Sequence, residues 1–303
     1  MSGSVLAIVL NYKRPEDTIE CIASLKKSDY RSLQILVVDN ASSDGSSDLI
    51  RRSHPDVEIF ENGENLGYAG GNNAGLRLAV SRGYDYAFIL NNDATVKDDT
   101  IQILVEEAEK NVSATILAPK ICIYGDPRRL NSAGTSMDWL RLRPYKGLYG
   151  RGASLVSDEP VKKDILPGSA LLVKCRLLPR VGYFNEGYFL IHEDADLCYR
   201  NRREGFANVV VPRAVVYHKE SKTLSSFPFL TEYYSTRNFL HLAAQHAGAL
   251  QRMACAAGVF FYLIRNAVKL PFAGGADREK IKGFFAGLRD FLAKRQGPYG
   301  VPT

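Results

Sequence analysis

The sequence predicts an α/β protein with a mainly parallel central sheet, helices on both faces and a C-terminal helical extension. Two observations carry this. Over the first 120 residues, short apolar runs rich in β-branched side chains alternate with helical stretches. Near-continuous apolar strands separated by helices are what a parallel sheet covered on both faces requires. From Tyr233 to Ala293 the pattern is helical throughout.

In order, the strand-like runs are Val5–Leu10, Gln34–Val38, Val57–Phe60, Tyr86–Leu90 and Ala114–Ala118. Helical stretches fall between them at Pro15–Lys27, Ser47–Arg52, Gly71–Arg82 and Asp98–Asn111. Pro15 suits a first helical position, where its missing N–H costs nothing. From Ile121 to Pro167 the pattern loosens into Gly, Pro, Arg and Tyr and reads as a surface excursion. A second ordered block holds strand-like Ala170–Lys174, a helix from Asp194 to Arg203, and strand-like Ala207–Val211 and Ala214–Tyr217. The expected organisation is a ligand-binding half over 1–120, a second half of the same domain over 121–245, and a basic amphipathic extension over 246–303.

Composition narrows the function. The 303 residues are 46% hydrophobic and 24% charged, too apolar for a disordered chain. The net charge of +6 is uneven: residues 219–303 carry twelve Lys/Arg against five Asp/Glu, leaving the first 218 residues near −1. Excess positive charge confined to one end argues against a nucleic-acid partner. Five scattered cysteines with no C-x-x-C pair exclude a zinc ribbon and suggest reduced thiols in a cytoplasmic chain. Val5–Leu10 has no basic segment before it and does not read as a signal peptide. Met253–Ile264, the longest apolar run, is twelve residues, short of the roughly twenty a membrane span needs. Within the extension, Ile281, Phe284, Phe285, Leu288 and Leu292 recur at helical spacing amid Lys280, Lys282, Arg289, Lys294 and Arg295. Such a helix either lies on an anionic membrane surface or packs on the protein's own core.

In a parallel sheet, ligands sit beyond the carboxyl ends of the strands. The second strand ends at Asp39, which can accept hydrogen bonds from a base or ribose, or cap the Ser/Asp/Gly turn that follows. After the third strand, Asn62 to Gly75 is rich in Gly and Asn and leads into a helix. Its amides suit a diphosphate, although the spacing matches no established phosphate loop. The fourth strand runs into Asn91-Asn92-Asp93, where a carboxylate behind two amides can hold a divalent cation or simply form a polar turn. Glu193, Asp194 and Asp196 crowd a helix start, where acids can do chemistry or complement the helix dipole. Trp139, Tyr145 and Tyr149 can stack on a sugar ring or pack locally. His218 alone reads as a structural histidine unless a metal site adjoins it.

Taken in order, the segments Val9–Pro15, Val37–Gly45, Asn65–Asn72, Leu90–Asp93, Leu166–Ala170, Glu193–Leu197 with Arg200, Pro212–His218 and Tyr234–Asn238 resemble the family 2 glycosyltransferases, rhamnosyltransferase-like branch. The resemblance implies a GT-A fold and an inverting transfer of a sugar, rhamnose favoured, from a dTDP- or UDP-linked donor to a glycan or lipid-linked acceptor in surface polysaccharide synthesis. It implies donor contacts at Asn11, Tyr12, Arg14, Asp39, Asn65, Gly67, Gly71, Asn72, Asn91 and Asn92. Mg²⁺ or Mn²⁺ would be held by Asp93 and His218. Asp194 would be the catalytic base, and Gly168, Ser169, Glu193 and Asp196 would meet the acceptor. Asn91 stands where the family's metal motif has its first acid, leaving fewer charges for the ion. Two rivals remain at this level. A silent nucleotide-sugar-binding subunit would fit Asn91, and a dinucleotide-dependent oxidoreductase would want glycines after the first strand, where Asn11-Tyr12-Lys13-Arg14 stands instead.

Overall fold

The computed structural model describes residues 3–145, 147–219 and 226–300. Its centre is β1 (Val5–Asn11), whose apolar run is buried on both sides. It pairs in parallel with β2 (Leu33–Asp39) on one side and β4 (Tyr86–Asn91) on the other. Beyond β2 lies β3 (Glu58–Glu61), a short edge strand carrying charges, as edges that resist further pairing do. The connections are α1 (Pro15–Leu25), α2 (Ser46–Ser53) and α3 (Gly67–Ser81), and Pro15 does occupy the first turn of α1.

Past β4 come β5 (Ala94–Val96), α4 (Thr100–Lys110), β6 (Ala114–Ile123) and β7 (Asp126–Ser132). Three two-residue strands follow, β8 (Met137–Asp138), β9 (Arg143–Pro144) and β10 (Val161–Lys162). Then come β11 (Ala170–Lys174), α5 (Leu178–Val181), α6 (Glu193–Arg203) and β12 (Ala207–His218). The main sheet has the order β10-β12-β6-β11-β4-β1-β2-β3, with β5 and β7 paired at β12 and β6. β11 runs antiparallel between β4 and β6, and β12 parallel to β6. The sheet is therefore mixed but mainly parallel on the β1 side. The segment expected to be a loose excursion gives β6 its last three residues and β7 its whole length.

Alternation along β1 sorts the core. Val5, Ala7 and Val9 face α1 and α4, while Leu6 and Ile8 face α3 and α6. A third cluster joins Trp139, Tyr188 and Cys255 to Phe239 and Leu242 of α7 (Pro228–His246). Trp139 is 8% exposed, 5.6 Å from the Phe239 ring, so it is a packing residue and not a sugar platform. Tyr145 and Tyr149 are exposed. All five cysteines are buried and unpaired.

Two helices complete the chain, α8 (Ala249–Lys269) and α9 (Gly275–Leu292). The apolar stripe of α9 does not face outward: Ile281 and Phe284 are buried, and Leu288 joins the third core cluster. Gly283 and Gly287 lie so close to α7 that a Cβ would fall 2.4 Å from the Phe229 carbonyl oxygen and 2.6 Å from that of Tyr233. Of the residues expected to meet a membrane there, Leu292 alone is exposed as a large apolar side chain. The twelve-residue apolar run also proves too narrow a measure. With its final turn α8 extends over 24 residues to Phe272, long and apolar enough to cross a membrane by length and composition alone.

Candidate active site

Parallel register sets Asn11 beside Asp39 at the ends of β1 and β2. Asn11 Nδ2 donates to Asp39 Oδ1 at 2.6 Å, and the Ser42 amide donates to Asp39 Oδ2 at 3.0 Å. Asp39 thus caps the turn through Ala41 and Ser43, both at positive φ, and also borders a cleft of ≈310 Å³ with Ser43, Gly45, Asn62 and Gly63. Asn11 is fully buried and accepts from Thr18 Oγ1, which accepts in turn from Asn92 Nδ2. Asn11 and Asn92 therefore stitch strand ends to α1. Tyr12 is partly exposed beside them. Arg14 pairs with Asp17.

The glycine-rich segment differs from its expected form. α3 begins at Gly67, four residues early, so Gly70, Gly71 and Gly75 lie within the helix. Its start is closed by protein groups: Asn65 Oδ1 accepts from the Gly67 amide at 2.9 Å, and the Phe189 carbonyl from that of Ala69 at 3.3 Å. Gly67 has φ +68°, and a Cβ there would fall 2.3 Å from the Phe189 oxygen; at Gly71 it would fall 2.5 Å from Leu10. These glycines permit close packing instead of forming an open phosphate loop. Asn72 is fully buried, with Nδ2 on the Tyr68 carbonyl and Oδ1 unpartnered.

Asp93 follows β4, and His218 ends β12. The β5–β12 pairing sets His218 opposite Ala94, bringing His218 Nε2 to 3.0 Å from Asp93 Oδ1 across 125 residues of chain. A register shift between Val211 and Val215 bends β12 toward this point, at Pro212, which cannot donate to a ladder. Burial pushes the Asp93 carboxyl up, but the His218 contact, with help from Arg14, outweighs it and holds Asp93 below the usual carboxylate range. Asn91 Nδ2 lies 3.5 Å from His218 Nε2, and His218 Nδ1 is buried without a partner. No group of three or more His, Cys, Asp or Glu able to hold a metal occurs among the described residues. One carboxylate and one imidazole on adjoining strands fit a Mg²⁺ or Mn²⁺ ion that takes its remaining oxygens from a diphosphate and water.

The opposite wall of the site is built on backbone. The Gly168 amide donates to Asp194 Oδ2 at 2.9 Å, and Tyr68 Oη donates to the Gly168 carbonyl at 2.6 Å. Ser169 accepts from the Asn91 amide, tying this loop to β4. Asp194 is the second residue of α6, after a turn in which Phe189, Ile191 and His192 all have positive φ, at about 1–3 kcal/mol each for such backbone. Asn238 Nδ2 holds the carbonyls of Tyr188, Leu190 and Ile191. Arg237, fully buried, donates to Gly187, Tyr188 and Gly297 carbonyls. Neither residue is among the candidate site residues read from the sequence, nor is Tyr68.

The three acids of α6 separate. Asp196 is 1% exposed, with Oδ2 accepting from Arg200 Nε and Oδ1 2.8 Å from His246 Nε2. It ties α6 to α7, which overturns the acceptor contact expected of it. Glu193 is buried, and its Oε2 has no partner. Burial, then the charge of Asp194, pushes Glu193 up to about 8. Burial raises Asp194 also, opposed by the amides of Gly168 and Ala195. Those amides favour the charged form of Asp194, whereas the Glu193 Oε2 has no partner to do the same. Burial first, and then the charges of Glu193, Asp194 and Asp93, hold the Tyr68 phenol well above the usual range. A cleft of ≈1170 Å³ beside Leu130, Tyr145 and Lys163 is lined by none of these residues.

Comparisons with known proteins establish the family and the fold. Over 270 residues the chain is 28% identical to an N-acetylglucosaminyl-diphospho-decaprenol L-rhamnosyltransferase of Mycobacterium tuberculosis, covering 82% of this chain and 87% of that one. Over 212 residues it is 29% identical to the low-salt glycan biosynthesis hexosyltransferase Agl10 of Haloferax volcanii, covering 67% of this chain and 63% of that protein. Its fold matches the mannosyltransferase PcManGT of Pyrobaculum calidifontis, solved with GDP-Man and Mn²⁺, at TM-score 0.58 and 18% identity over 98% of this chain and 89% of that one. It also matches GalNAc-T7, solved with UDP, GalNAc and Mn²⁺, at TM-score 0.59 and 14% identity over 96% and 57%. The fold is GT-A. Residues 6–158 fit the profile of Glycosyl transferase family 2; spanning β1 to the start of the second half, that match makes the chain a member of glycosyltransferase family 2.

Proposed function

We propose that the chain transfers a sugar, with inversion at the anomeric carbon, from a nucleotide-diphosphate donor to a hydroxyl of a glycan or lipid-linked acceptor. The observation that carries this is the arrangement around Tyr68. Its hydroxyl donates to Gly168, whose amide holds Asp194 at the acceptor end, while the adjoining Ser169 carbonyl accepts from Asn91, beside Asp93 at the diphosphate end. A sugar held between them would have its leaving group at one wall and its attacking hydroxyl at the other.

Asp194 is suited to the base because the Gly168 and Ala195 amides hold its carboxylate in the charged form, and in this reading the pair's proton sits on Glu193, whose Oε2 has no partner. It takes the proton as the acceptor oxygen attacks, a role typically worth about 10²–10⁴-fold. Asp93 and His218 would hold Mg²⁺ or Mn²⁺, which when bound supplies positive charge to the departing diphosphate. Asp39, beside its cleft, would meet the base or ribose. The N-acetylglucosaminyl-diphospho-decaprenol L-rhamnosyltransferase relative supports rhamnose as the sugar and a lipid-linked acceptor. No glycine cradle follows β1, which counts against dinucleotide chemistry.

A panel of dTDP-, UDP- and GDP-sugars, with Mn²⁺ and without, tests donor choice by turnover and by thermal shift. With the accepted donor, Asp194→Asn should lower transfer by about 10²-fold or more while donor affinity stays near normal. Glu193→Gln should leave most of it. The opposite pattern would make Glu193, with its unpartnered oxygen, the base.

A further inference from the structure

α8 presents the apolar surface that α9 does not. Leu250, Met253, Phe260, Phe261, Ile264 and Val268 are all exposed, as is Phe272 in the turn that follows. With that turn the helix runs over 24 residues, about 36 Å at ~1.5 Å per residue. Its other stripe is fixed to the protein. Cys255, Gly258 and Asn266 are buried, and a Cβ on Gly258 would fall 2.1 Å from the Leu140 carbonyl oxygen. A helix glued along one side cannot be wrapped in lipid as a lone span, but it can lie in the plane of a membrane with its free side down.

Charge selects the surface it meets. From Ala249 to Ala276 there is no Asp or Glu, and Arg252, Arg265 and Lys269 are the charged residues. All three are exposed. Acids return at Asp277 and Glu279 on α9, each accompanied by a lysine, Lys280 and Lys282. A second copy of the chain would set these cations against themselves with no acid on the helix to pair them. An anionic lipid surface complements them, and exposed Phe and Leu side chains are suited to the headgroup boundary.

We propose that α8 is an in-plane membrane helix, whose Leu250–Phe272 face enters the interface of an anionic bilayer while its buried stripe keeps the catalytic fold attached. This rests on the lipid-linked acceptor reading, since it brings the site to the surface where such an acceptor would lie. The test needs no sugar, so the two readings fail separately. The full chain is floated with vesicles of phosphatidylcholine alone and of phosphatidylcholine with phosphatidylglycerol. Binding is expected to the anionic vesicles and to fall with salt. Phe260→Asp with Phe261→Asp should weaken it about tenfold or more, and Arg265→Gln with Lys269→Gln should weaken it severalfold. Leu292→Asp, on the α9 face, should leave it unchanged. Wild-type chain that does not float with anionic vesicles overturns the proposal. So does a double-Asp variant that floats like wild type, or a wild-type dimer that this variant converts to monomer.

Discussion

Glu193 offers a stability measurement that reports on the catalytic pair without any substrate. The rise of its carboxyl from 4.5 to about 8 on folding means that between those pH values the folded chain binds a proton the unfolded chain has released. Stability contributed by this group is present in full below pH 4.5 and is lost as pH rises through about 8, at ~1.4 kcal/mol per pH unit. Its whole span is ~5 kcal/mol as an upper bound. Buried His192 acts oppositely. Burial lowers it to about 4, so its contribution rises with pH up to the ordinary histidine range near ~6.5 and masks Glu193 below that point. Buried thiols such as Cys198, raised to about 12, add their own fall once unfolded thiols ionise above ~8.5. Between pH 6.5 and 7.5 unfolded thiols are still almost wholly protonated, and over that unit Glu193 should cost wild type about 1 kcal/mol.

Urea unfolding of wild type and Glu193→Gln at pH 6.5 and 7.5 reads this directly. Wild type is expected to lose about 1 kcal/mol more between the two than the glutamine variant, whose position 193 does not titrate. Equal slopes in the two proteins would show that Glu193 is already ionised at neutral pH. The assignment of the pair's proton to Glu193, and with it the physical case for Asp194 as the base, would then fall.

Asp93→Ala should remove the metal dependence of donor binding while the fold persists; calorimetry with donor, with Mn²⁺ and after chelation, checks it. Asp196→Asn should destabilise by about 3 kcal/mol, the low end for a broken buried pair because Arg200 is partly exposed, with donor affinity unchanged in the folded fraction. Asn238→Leu strips the Leu190 and Ile191 carbonyls of the side-chain donor they share, at about 1–3 kcal/mol each. It should lower the melting temperature and reduce turnover more than donor affinity, since the turn it releases leads into Asp194.

What the sequence made legible was whatever a single strand or helix decides alone. β1, β2, β4 and β11 are fully apolar inside and bounded by turn residues, so their ends, and hence Asn11, Asp39 and Asp93, were readable to within a residue. α3 was misjudged because Gly67 to Gly70 have poor helix propensity. What settles their conformation is capping, by Asn65 on the Gly67 amide and by the distant Phe189 carbonyl on that of Ala69, while Gly71 and Gly75 pack on Leu10 and Ile8. The α9 stripe had the right period, but a period identifies a face and not its partner. Arg237 and Asn238 left no local signal as site residues, because their hydrogen-bond partners lie about fifty residues upstream and at Gly297. The Asp93–His218 pair, 125 residues apart, was reachable through resemblance and not through spacing.

The C-terminal helices also bear on how Asp194 is held. Three positive-φ residues just before it form a turn that is strained in isolation. Its carbonyls are gathered by Arg237 and Asn238 of α7. Arg237 is itself steadied by Tyr233, whose hydroxyl donates to Asp290 of α9, and by the Gly297 carbonyl beyond it. Gly297 in turn donates from its amide to Gly187, back in the strained segment. The chain thus closes a loop of contacts from the catalytic turn through α7 and α9 and back again. Residues nearly a hundred positions downstream set the direction of the carboxylate, so removing them would disturb chemistry as well as any surface they carry. Point substitutions on the exposed face of α8 leave that loop intact, which is why they, and not a truncation, can separate membrane seating from catalysis.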